Sequence, residues 1–134
     1  QGFRYAGVIP LSGAIFSMNG KLKYNTMPAP TFFLHGTEDH LVTYSQLKFA
    51  NIGLYGSSKI VEVFEKSGYA YHFKRMKNFG HEVAGLLPNI IDEINDFYQE
   101  WIVNSKKLQV DELWYNPDYE PIGWGKMKPS DLYN

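Results

Sequence analysis

Apolar residues cluster along the chain in two different patterns, and the patterns predict different elements. Tyr5–Leu11 (YAGVIPL) and Thr31–His35 (TFFLH) are short, nearly unbroken apolar runs bounded by Gly, Pro and polar residues. Such runs suit strands that are buried on both faces. Ala70–Met76 is a third candidate strand. Between the second and third, Ile60, Val61 and Phe64 recur at helical spacing within Ser57–Ser67, and Gly68 follows as a C-cap. The strongest periodicity comes later. Ile90, Ile91, Ile94, Phe97, Tyr98, Trp101 and Ile102 mark one stripe of a helix, with Pro88 in its first turn and Asp92, Glu93, Asp96 and Glu100 on its polar face.

Strands that alternate with helices imply an α/β chain with a mainly parallel sheet and flanking helices. Three parallel strands make a thin sheet with a long unpaired edge. The Tyr5–Leu11 strand is therefore expected to pair with a strand from another polypeptide or from a portion of the protein outside this sequence. Residues 106–134 are rich in Trp, Tyr, Pro and Gly and are expected to form an irregular tail whose aromatics pack on the body of residues 1–105.

Composition narrows the chemistry. The 134 residues carry a formal charge of −1, and Lys and Arg are scattered along the chain, so no basic face for nucleic acid or an anionic membrane is expected. No apolar run approaches the ~20 residues that span a bilayer. Cysteine is absent, which excludes disulfides, thiolate metal sites and cysteine nucleophiles.

Two short segments remain as carriers of chemistry. His35-Gly36-Thr37-Glu38-Asp39-His40-Leu41-Val42 starts where a buried strand ends, which puts a carboxylate on the C-terminal edge of the sheet, where open α/β sheets bind ligands. Asn78-Phe79-Gly80-His81-Glu82-Val83-Ala84 follows the third strand and presents a histidine on that same edge. A histidine acting as general base needs a carboxylate on its second ring nitrogen, so Asp39 and His81 form a sensible pair. Taken alone, Asp39 reads as a turn residue capping the Leu41 and Val42 amides, and His81 as a packing histidine. Glu38 reads as a solvated loop residue, His35 as bonded to backbone at the strand end, and His40 and His72 as surface groups. Gly56-Ser57-Ser58-Lys59 reads as a helix N-cap. His81-Glu82-Val83-Ala84-Gly85 lacks the second histidine of a zinc-protease helix.

HGTEDHLV resembles the acid-bearing turn of the α/β-hydrolase superfamily, and FGHEVA resembles that superfamily's histidine turn. YAGVIPLSGA is similar to the strand that follows the nucleophile helix in its esterases. The resemblance runs to about Ser105 and implies the C-terminal part of an α/β-hydrolase fold, with Asp39 as catalytic acid and His81 as catalytic base. It further implies a carboxylic-ester hydrolase of esterase or lipase type that needs no cofactor. Its substrate would be a small ester, such as a small aliphatic ester or an acyl group on a carbohydrate, and its setting secreted or periplasmic. The Gly-x-Ser-x-Gly elbow and the oxyanion loop are absent, so the serine is expected upstream of Gln1 and the chain alone is expected to be inactive. Ser12 lacks the elbow's first glycine and reads as a strand-end serine bonded to nearby backbone. Serine peptidases of the prolyl-oligopeptidase type share both turns, and a non-catalytic module on the same scaffold is the third alternative.

Overall fold

The computed structural model describes residues 5–121 and 123–133. Among the described residues the chain is mixed α/β, with two α-helices and two three-stranded sheets. Strands β2 (Thr31–Gly36), β5 (Tyr71–Met76) and β6 (Gln109–Trp114) form a parallel sheet with β5 in the centre. Between β2 and β5 the chain completes a small antiparallel sheet, β1 (Ala14–Ser17), β3 (Gln46–Phe49) and β4 (Ile52–Gly56), and then helix α1 (Ser57–Ser67). Helix α2 (Ile91–Phe97) and a π-helical turn over Tyr98–Val103 join β5 to β6.

Every residue of β2 is buried because the parallel sheet is covered on both faces. On one face Phe32 and Leu34 pack with Met76, Val83, Phe97 and Trp101. On the other, Phe33 packs with Ile60, Val61 and Phe64 of α1 and with Tyr71 and Phe73 of β5. Alternation along β2 and β5 thus feeds two cores from one sheet. Helix α1 keeps its expected bounds and ends on Gly68 in the left-handed region (φ 71°), as a C-cap requires. Its N-cap is Gly56, within the segment expected to cap it, and no side chain caps it among the described residues.

The last helix departs from expectation. Pro88 lies in a separate 3₁₀ turn over Leu87–Asn89, and α2 covers only 7 residues before passing into the π-turn. Ile90, Phe97 and Trp101 are buried, whereas Ile91 and Tyr98 are each 51% exposed. Positions 90, 94, 97 and 101 hold the centre of the apolar stripe, and 91 and 98 fall on its margin.

Residues 8–11 do run parallel beside β2, but as two isolated bridges, Val8 to Thr31 and Leu11 to Leu34. Pro10 is the cause. Its carbonyl accepts from the Leu34 amide at 3.2 Å, but it has no N–H to return the next ladder bond. On the far side of this segment the backbone groups of Gly7, Ile9 and Leu11 make no backbone hydrogen bond among the described residues.

The segment expected to open an irregular tail is instead strand β6 over Gln109–Trp114. Its residues are exposed apart from Val110, so no alternation betrays it. Polar contacts with β5 hold it there: Arg75 donates to both Asp111 carboxylate oxygens at 2.7 Å, and His72 meets Glu112. Gln109 also donates to the Phe64 and Tyr69 carbonyls at the end of α1, at 3.0 and 2.9 Å. The antiparallel sheet was equally hidden. Its β3–β4 turn is made by Ala50 and Asn51 with Ala50 at φ 53°, a conformation that a sequence usually signals with glycine.

Candidate functional site

Strands β2 and β5 are in register from Thr31–Tyr71 to Gly36–Met76, so both end at the same level. The two loops that leave this edge are stitched together. The Thr37 amide donates to the Met76 carbonyl at 3.0 Å, the Glu38 amide to the Phe79 carbonyl at 2.9 Å, and the Asn78 amide to the Thr37 hydroxyl at 2.9 Å. Gly36 permits this approach, because a Cβ there would overlap the Phe79 and Gly80 carbonyl oxygens.

Between these loops Asp39 and His81 meet, with Asp39 Oδ2 lying 2.9 Å from His81 Nδ1. The other carboxylate oxygen, Oδ1, accepts from the Leu41 amide at 3.0 Å and the Val42 amide at 2.9 Å. Asp39 thus makes both the turn contacts and the histidine contact expected of it. It is only 4% exposed, and the His81 side chain is 17% exposed.

A third group completes the arrangement. His35, fully buried, places Nε2 3.3 Å from Asp39 Oδ2 and 3.1 Å from the Val42 carbonyl. Its Nδ1 lies 2.8 Å from the Ser57 hydroxyl. With two acceptors at Nε2, that nitrogen carries the proton and Nδ1 accepts from Ser57. The first residue of α1 therefore orients His35, which braces the acid loop from behind. The expected backbone bond of His35 is present, but nothing in the sequence signalled its contacts with Asp39 and Ser57. Burial acts most strongly on the Asp39 carboxyl and by itself would raise its pKa. Hydrogen bonds from His35, the Val42 amide and His81, with the charge of His81, outweigh burial and hold the group below its ordinary value.

The aromatic segment after β6 packs behind the histidine. Tyr119 stacks on Phe79 with ring centroids 3.7 Å apart, and its hydroxyl donates to Glu82. A cleft of about 490 Å³ opens beside the site between the two loops and this segment, lined by Glu38, His40, Asn78, Tyr119, Glu120 and Lys126. The Glu38 and His40 side chains are 55% and 65% exposed, as loop and surface groups. His72 is partly exposed, with its ring stacked on Phe32 at 4.5 Å and on Trp101 at 6.2 Å.

Ser12 also departs from expectation. Its amide donates to the Leu34 carbonyl at 2.9 Å, but its hydroxyl is buried with no hydrogen-bond partner among the described residues, and its backbone is left-handed at φ 58°.

Chemically, the pair can hold an imidazole in one orientation, with the proton on Nδ1 shared with a carboxylate that stays ionised. Nε2 then becomes the nitrogen that takes up a proton. Comparison of the chain with protein-family models, curated proteins and solved structures finds no match. No helix among the described residues is long and apolar enough to cross a membrane.

Proposed function

We propose that this chain supplies the acid and the base of a Ser-His-Asp carboxylic-ester hydrolase of α/β-hydrolase type. The observation that carries this reading is the 2.9 Å contact between Asp39 and His81 on loops leaving adjacent parallel strands. In the proposed reaction His81 Nε2 takes the serine proton as the serine oxygen bonds to the ester carbonyl carbon. It returns that proton to the departing alcohol as the C–O bond breaks, and a water molecule then repeats the sequence to release the acid. Asp39 keeps its charge throughout and stabilises the imidazolium. Backbone amides near the serine would hold the oxyanion.

Ser12, buried and with its hydroxyl unpartnered among the described residues, is a poor nucleophile for this pair. The open side of residues 7–11 is where a further strand carrying the serine would add, on this or another polypeptide. The test is labelling by a fluorophosphonate and hydrolysis of p-nitrophenyl acetate. The 134-residue chain alone should give no acyl burst. A polypeptide that also holds the serine segment should give one that His81→Ala abolishes and Asp39→Asn lowers by roughly 10³–10⁴. Unchanged turnover in both variants would remove Asp39 and His81 from the reaction, and no turnover at all would leave a non-catalytic scaffold as the reading. A burst from the chain alone, lost in Ser12→Ala, would make Ser12 the nucleophile.

A further inference from the structure

Away from the Asp39–His81 site, the fold gathers positive charge that is dispersed in the sequence. Lys21 and Lys23 follow β1, Lys48 lies in β3 and Lys59 in the first turn of α1, yet all four line one shallow groove of about 520 Å³. Tyr55 and Val63 form part of its apolar wall. The expectation of no basic face, drawn from the linear spacing of lysines, fails here because the antiparallel sheet folds against α1.

Three observations give the groove a ligand preference. First, residues 1–37 and 40–61 contain no Asp or Glu, so β1, β3, β4 and the turn after β1 bring no carboxylate, and the acidic residues of the groove's own elements are Glu62 and Glu65 of α1. Lys59 pairs with Glu62 at 3.3 Å, whereas Lys21, Lys23 and Lys48 have no carboxylate partner among the described residues. Second, the backbone that presents the first two lysines is held in place. The Lys21 amide donates to the Ser17 hydroxyl and to Asn19 Oδ1, both at 3.0 Å, and Tyr55 on β4 donates to the Gly20 carbonyl. Third, the Tyr55 ring is 2% exposed and offers no stacking face, so recognition rests on charge and not on a planar base. Neighbouring ammonium groups repel one another, and a multivalent anion relieves that repulsion at several lysines together. Lysine acts on phosphate as a flexible point charge, which suits a compact chain of charged groups better than one planar bidentate anion.

We propose that the groove formed by Lys21, Lys23, Lys48 and Lys59 binds an oligophosphate-type anion with at least two adjacent charged groups. None of its lining residues belongs to the Asp39–His81 site, so it is a second site that stands or falls independently of the hydrolase reading.

The test is calorimetric titration of the folded chain with tripolyphosphate and with orthophosphate at low salt. The variants are Lys21→Gln/Lys48→Gln and, as control, Lys126→Gln/Lys128→Gln, with circular dichroism to verify folding. Tripolyphosphate should saturate one site, bind at least ~10-fold tighter than orthophosphate and weaken as salt is raised from about 50 to 200 mM. The groove variant should lose ~10-fold or more in affinity and the control should lose little. Absence of saturable tripolyphosphate binding, or equal loss in both variants, would overturn the proposal. Binding only to vesicles of anionic lipid, with none to tripolyphosphate, would also overturn it and assign the lysines to a membrane surface.

Discussion

Replacing Asp39 by asparagine tests whether its carboxylate, and not merely its turn-forming shape, holds the two loops together. The asparagine side chain is isosteric and would keep its oxygen facing the Leu41 and Val42 amides, so the turn survives. The other arm would then set an NH₂ group against two ring nitrogens, His81 at 2.9 Å and His35 at 3.3 Å. Each hydrogen bond to an ionised partner is worth about 1.5–3 kcal/mol, so the two lost contacts destabilise by roughly 3–6 kcal/mol. Relief of the buried charge opposes this and leaves a net loss of about 2–3 kcal/mol. The folded carboxyl lies below the ordinary value of 3.8, so its contribution is fully present above that pH. It is lost as pH falls through the lowered folded value. Urea denaturation followed by tryptophan fluorescence should therefore show a wild-type advantage at about pH 7 that closes below about pH 4. A variant within ~0.5 kcal/mol of wild type at neutral pH, or a gap unchanged down to about pH 3, would refute the reasoning.

Other substitutions probe the scaffold behind the site. Lys74 is 8% exposed and is bound by both Glu93 carboxylate oxygens at 2.9 and 2.7 Å. Glu93→Gln should thus cost about 1–3 kcal/mol and Lys74→Met less, because only the first leaves a buried charge uncompensated; thermal melts of both variants rank them. Phe32→Ala empties a fully buried position stacked on Phe97 and His72, and should cost about 3–5 kcal/mol by urea denaturation. A Cβ at Gly80 would overlap the Gly125 carbonyl oxygen. Gly80→Ala should detach the 123–126 turn, costing about 1–3 kcal/mol and showing as faster proteolysis after Trp114, with the parallel sheet still protected from hydrogen exchange.

The sequence by itself determined what depends on local pattern. The continuous apolar run at Thr31–His35 became a strand buried on both faces, and the third candidate, Ala70–Met76, became the parallel strand beside it. The spacing of Ile60, Val61 and Phe64 with Gly68 after them marked α1. The strand-to-loop position of Asp39 and His81 placed both on one edge, since the ends of parallel strands share a side. Tertiary structure decided whatever rests on contacts between distant, locally ambiguous segments. Strand β6 exists through its parallel ladder with β5, accompanied by the Arg75–Asp111 pairing, and not through any alternation of its own. A proline without an N–H reduced the Tyr5–Leu11 run to two bridges. His35 reached Asp39 only because α1 sets Ser57 behind it, and the four lysines became one groove only when β3 and α1 closed against the turn after β1. Periodicity records which face of an element is buried, but a side chain's polar partner is set by register and crossing of elements that the linear pattern does not encode.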